Sequence, residues 1–211
     1  MTNSLEEFAH TIAINHGLSY KITEHDNGRL IDKMLCKLLD KMSSGTQDYW
    51  CGEYVTRENI HQLATHDNLK LLTVKHGKNV VAYCVFRDVR TRSYNLYTAK
   101  KPRKIVGSER EISTYIELLC STNNEEIKVK YAGTIAYIIT LAHARPTVIL
   151  QSGMSGNGQL TVADEKLYAS VGLKNVHLKF MNQFHDNNHR YGKRPTVSKL
   201  KKVFTKLNYT T

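Results

Sequence analysis

Residues 78–88, KNVVAYCVFRD, carry apolar side chains at both alternations of an extended chain. Val81, Tyr83 and Val85 fall on one side, and Val80, Ala82, Cys84 and Phe86 on the other. A strand that is apolar on one face can lie at the surface of a two-layer fold, but one that is apolar on both must be covered twice. The run therefore predicts a central strand with a packed layer above and below it.

The flanking sequence supplies those layers. Leu5, Phe8, Ala9, Ile12 and Ala13 recur three and four apart, which predicts a short amphipathic helix over 2–16. LSYKITE (18–24) alternates as a strand. Leu30, Ile31, Met34, Leu35, Leu38, Leu39 and Met42 then form one continuous stripe, a helix over 29–42 that SSGT ends. TRENIHQLATH (56–66) reads as a short helix with Thr56 at its cap. LKLLTVKHG (69–77) is a strand joined to the central one by a tight turn at His76-Gly77-Lys78.

Residues 89–113 form a basic connection with a short hairpin around Tyr94–Tyr97. TYIELLCS (114–121) follows as a buried strand, then a polar loop and a helix over 134–145 that Pro146 cannot continue. TVILQS (147–152) is a strand, GMSGNG a turn, 161–172 a helix capped by Thr161, and LKNVHLKF (173–180) a last strand. The order predicts a mixed α/β (α+β) fold: a central mixed sheet of about six to seven strands with helices on both faces. Residues 1–180 form the expected domain, with 89–113 as a basic insertion and 181–211 as a basic tail. Within the tail, HDNNHRYGKRP (185–195) reads as a loop, so His185 and His189 are not placed as a metal pair. Val197, Leu200, Val203, Phe204 and Leu207 predict a terminal amphipathic helix.

Composition excludes several classes. With 41% hydrophobic residues and only 3 Pro, the chain has too much apolar surface for disorder and no collagen signature. No apolar run approaches the roughly 18 residues of a membrane span. MTNSLEEFAH is acidic and polar rather than a secretory signal, so a cytoplasmic location is expected. Cys36, Cys51, Cys84 and Cys120 are widely spaced, which predicts reduced core residues and no metal site.

The stretch TYIELLCS…KYAGTIAYIITLAHARPTVILQS…VADEKLYASVGLKN resembles the GNAT-type N-acyltransferase superfamily, over roughly residues 18–180. Members move an acyl group from a CoA thioester, commonly acetyl-CoA, to an amine. Ile116–Ser121 is similar to the family's fourth strand, Lys130–Ala136 to its phosphate-gripping turn, and Val148–Ser152 to its fifth strand. Leu167-Tyr168…Gly172-Leu173 is similar to its tyrosine-bearing helix. The family pattern of Arg or Gln, two residues, Gly, one residue, then Gly or Ala is matched here by Lys130-Tyr131-Ala132-Gly133-Thr134-Ile135, with Ile135 replacing the second small residue.

The resemblance implies roles for these residues. Lys130, Tyr131, Ala132, Gly133, Thr134, Ile135 and Ala136 would hold the CoA pyrophosphate on free amides at a helix start. Gly133 would let the backbone approach the phosphates closely. Main-chain groups of Leu119, Cys120 and Ser121 would hold the pantetheine arm and polarise the thioester. Tyr168 would protonate the leaving thiolate. The base is the least determined role: Glu117, a carboxyl in an otherwise apolar strand, is the local candidate, and an ordinary edge-facing polar residue fits the same pattern.

Lys and Arg number 30 against 19 Asp and Glu, a formal charge of +11. The cations cluster at 87–92, 100–104 and 190–206, with Tyr94, Tyr97, Tyr191 and Phe204 among them. Such clusters suit a nucleic-acid partner, a solvated basic face or attraction of a polyanionic cosubstrate. Two functions follow: an acyltransferase acting on an amine of a small molecule, protein or nucleic acid, or a catalytically eroded module of the same fold that binds nucleic acid or an acidic protein.

Overall fold

The computed structural model describes residues 4–25, 29–43, 57–99, 103–122, 126–151, 167–181 and 183–206. The elements in chain order are α1 (Leu5–Asn15), β1 (Leu18–His25), α2 (Arg29–Ser43), α3 (Arg57–Ala64), β2 (Leu69–His76) and β3 (Asn79–Arg90). A 3-10 turn (Thr91–Tyr94), β4 (Leu96–Thr98), β5 (Ile112–Ser121), α4 (Ala132–Ala142) and β6 (Thr147–Gln151) follow. β7 (Lys174–Phe180), β8 (Gln183–Lys193) and α5 (Val197–Lys206) complete the chain. Eight strands form one sheet in the order β1-β2-β3-β5-β6-β8-β7-β4. It is mixed: β5 and β6 pair in parallel, whereas β1/β2, β2/β3, β6/β8, β7/β8 and β4/β7 are antiparallel. The mixed α/β architecture expected from the sequence is thus present, with one strand more than expected.

The chain divides into two compact units, Met1–Arg87 with Glu117–Ala142, and Asp88–Ile116 with His143–Thr210. β3 and β5 each contribute a segment to both. In the first unit, α1 opens on a capping box: the Ser4 hydroxyl accepts from the Glu7 amide at 3.1 Å, and the Ser4 amide donates to Glu7 at 2.8 Å. Ile31, Leu35 and Leu38 of α2 and Ile60 of α3 pack on Leu69, Leu71, Tyr83 and Val85, one face of β2 and β3. Leu72, Val74, Ala82, Cys84 and Phe86, on the other alternation, are equally buried. Burial pushes the pKa of the Cys84 thiol there up to about 12, and a hydrogen bond with Thr140 of α4 holds back part of that rise. Helices therefore cover both faces of the central strand, as its double alternation requires.

The second unit is built on Val89, Leu96, Val106, Tyr115, Ile149 and Val176. Beside this cluster lies a buried hydroxyl chain. Thr91 is 2.7 Å from Ser113, which is 2.8 Å from Thr147, and Glu111 accepts from both Thr91 and Tyr191. β8 overturns the loop expected over 185–195. It lies between β6 and β7 and pairs antiparallel with both, Ile149 opposite Tyr191 and Val176 opposite His189. Its polar side chains give no apolar alternation, but a position between two strands satisfies its backbone on both edges, and that ladder outweighs propensity. The stretch expected as a tail also holds α5, where Leu200 and Val203 are buried while Lys199, Lys201 and Lys202 are exposed.

A further correction concerns the cysteines. Cys120 is disulfide-bonded, whereas Cys36 and Cys84 are thiols, as expected. Of the helix expected over 161–172, only a turn at 167–170 is described; its proposed cap, Thr161, and the cap Thr56 of α3 lie outside the described residues.

Candidate functional site

Among the described residues, the parallel register of β5 with β6 runs through Thr114↔Val148, Tyr115↔Ile149 and Ile116↔Leu150; the chain that follows Gln151 lies outside them. β5 itself continues through Glu117, Leu118, Leu119, Cys120 and Ser121. The division between the two units falls between Ile116 and Glu117. Leu118 and Cys120 join the cluster under α2 and α3, which anchors this part of the strand.

In the first unit, the end of β5 meets the start of α4. A Cβ placed on Gly133 would lie 3.1 Å from Ser121 Oγ and 3.2 Å from Ser121 Cβ. The close approach that glycine permits here is thus made by β5, and a ligand would approach the amide rather than the Cα. Tyr131 precedes the helix in the left-handed region, at φ +70°. The Ala132 amide donates to Val129 O at 3.1 Å, and the helical ladder begins with Ile135 N to Tyr131 O at 2.8 Å. Gly133 and Thr134 therefore present their amides outside the ladder. The first turn holds no acidic residue to offset the positive end of the helix dipole.

The side chains sort into two groups. Ala132, Ile135 and Ala136 point into the core, Ile135 and Ala136 with no exposed surface. Ile135, which replaces the family's second small residue, is consumed by packing. Lys130 is exposed, its ammonium 4.7 Å from the centre of the Tyr131 ring, which also meets His16 edge-on at 6.0 Å.

Glu117 is half-buried and accepts from Arg87 Nε at 2.6 Å. Burial raises its carboxyl above the ordinary range, and the guanidinium holds back part of that rise. From the sequence Arg87 was read only as one of the 87–92 cations, not as a partner of Glu117; the signal was a charged Arg-Asp pair closing a run apolar on both faces. Asp88 of that pair accepts from Thr114 at 3.0 Å and from Arg145 at 2.7 Å in the second unit. Tyr168 also belongs to the second unit, buried at 6% exposure, its carbonyl accepting from the Leu173 amide at 3.0 Å. Of the expected site residues, the structure brings together Ser121 and the first turn of α4, and carries Glu117, Leu119 and Cys120 on the same strand.

The fold is GNAT-like. Two mid-sheet strands paired in parallel, the first of them ending against a helix start, agree with what the resemblance implies for the fourth strand, the phosphate-gripping turn and the fifth strand. No protein-family model and no curated protein sequence matches the chain. Among solved structures, a probable acetyltransferase from Staphylococcus epidermidis ATCC 12228 is similar at 15% identity and a TM-score of 0.42. The match covers 83% of this chain and 99% of that one. No described helix is long and apolar enough to cross a membrane.

Proposed function

We propose that the chain is an acyl-CoA-dependent N-acyltransferase, with acetyl-CoA as the expected donor. The observation that carries the reading is the end of β5 lying against the first turn of α4, where a Cβ on Gly133 would meet Ser121. Two unladdered amides at Gly133 and Thr134, a dipole end without acidic residues and the exposed Lys130 suit a pyrophosphate. Leu119, Cys120 and Ser121 would engage the pantetheine arm through the main chain, so the Cys120 disulfide does not conflict with that role.

The chemistry asks little more of the protein. A neutral amine attacks the thioester carbonyl, the oxyanion forms, and the carbon–sulfur bond breaks as the nitrogen sheds its second proton, giving an amide, CoA thiolate and a proton that restores the donor to the thiolate. Glu117, its proton affinity raised by burial, is the proposed acceptor of the proton that the ammonium must lose. Tyr168 is the proposed donor to the thiolate. The acceptor is an amine on a small molecule, protein or nucleic acid, which the chain's +11 charge would favour where it is acidic.

Thr134→Glu tests the pyrophosphate grip without weakening the helix, because a carboxylate in a first turn favours the dipole while repelling phosphate. Acetyl-CoA should raise the melting temperature of the parent chain and leave that of Thr134→Glu unchanged. No shift in the parent at millimolar acetyl-CoA would contradict the proposal.

A further inference from the structure

Asp32 and Cys36 lie four residues apart on α2, one turn above the other on the same face. His61 reaches them from α3. Its Nδ1 is 2.8 Å from Asp32 Oδ1, and Cys36 Sγ is 3.7 Å from the same oxygen. All three ligand-capable atoms lie within 4.8 Å of one another, the one such group among the described residues. The helix pair that presents them is fixed from beneath by Ile31, Leu35 and Ile60, all nearly fully buried.

The geometry points to a zinc-type divalent cation bound by Asp32, Cys36 and His61, with water in a fourth position. Sulfur, nitrogen and carboxylate oxygen form a donor set that suits zinc and disfavours magnesium or calcium, which take oxygen. The spacing agrees. With Zn–S near 2.3 Å and Zn–O near 2.0 Å, a tetrahedral S···O edge is about 3.5 Å, against the 3.7 Å found between Cys36 and Asp32. The N···O edge needs about 3.4 Å, so His61 must draw back from its 2.8 Å hydrogen bond. It is free to do so, since its side chain is 59% exposed, while that of Asp32 is 24% exposed. That exposure also leaves an entry path and room for the water. Binding releases the Cys36 thiol proton, and His61 must carry any remaining proton on Nε2, so affinity rises with pH.

The site stands apart from the acyltransferase reading and is tested without activity. Cobalt(II) added to the full, metal-free chain should give an intense visible spectrum of tetrahedral type and a thiolate charge-transfer band, both bleached by one equivalent of zinc. Cys36→Ser should abolish the charge-transfer band. Asp32→Asn and His61→Gln should each weaken binding by more than the roughly 10–100-fold that loss of an outer partner costs. In the unaltered chain, zinc should protect Cys36 from alkylation, read by peptide mass spectrometry, which removes any dependence on how the variants fold. Absence of the band, its survival in Cys36→Ser, or unprotected Cys36 at saturating zinc would each overturn the assignment.

Discussion

Two opposing effects act on Glu117. Burial disfavours its charge, and Arg87 at 2.6 Å favours it, with burial the larger. A carboxyl whose folded-state pKa exceeds its unfolded value binds protons more readily when folded, so its contribution lowers stability as pH rises through the folded pKa and is absent below the unfolded one. The Glu117 carboxyl carbon should titrate above the ordinary glutamate range by NMR. Arg87→Met should move the midpoint higher still, and a midpoint that fell on removing Arg87 would show the balance to be misread. Gly107 offers a second test at the same scale. At φ +72° its added Cβ would lie 2.6 Å from Thr91 Cγ2 and 2.9 Å from Glu111 Oε1, inside the hydroxyl chain. Gly77, at φ +57°, has nothing within 4 Å. Gly77→Ala should cost about 1 kcal/mol from backbone strain alone, and Gly107→Ala clearly more, on the order of 2–4 kcal/mol. Urea denaturation of the two variants decides it; equal losses would mean that the crowding at Thr91 relaxes without cost.

Legibility from sequence differed by element, for physical reasons. α2 was legible because its stripe repeats at the helical period, and β3 because both of its faces are buried. Its turn at Gly77-Lys78 was legible because only a tight turn separates two β-rich runs. β8 was not: FHDNNHRYG has no apolar alternation, and its place between β6 and β7 is fixed by long-range backbone pairing that no local pattern records. The start of α4 was legible as a glycine turn, but the reason for the glycine was not. Ser121 fills the space a Cβ would need, which depends on how β5 ends rather than on the residues around Gly133. The Asp32, Cys36 and His61 group was not read from the sequence: two members share a helix face, but the third comes from a different helix.

At the scale of the whole molecule, the mixed sheet and its two-sided helical cover were foreseen from alternation, and the site residues came from the resemblance. If chemistry limits the rate, Tyr168→Phe should lower turnover by about 10²–10⁴-fold with little change in KM, as loss of a general acid does. Unchanged turnover would remove Tyr168 from the reaction while leaving the donor site intact. The account rests most directly on the helix start beyond β5 being the place where a CoA thioester binds. Acetyl-CoA titrated into the ¹⁵N-labelled chain tests this by amide shifts. The account predicts that Gly133 and Thr134 move most, with the main chain of Leu119–Ser121 next. Saturable shifts confined to other parts of the chain, with those amides still, would contradict it.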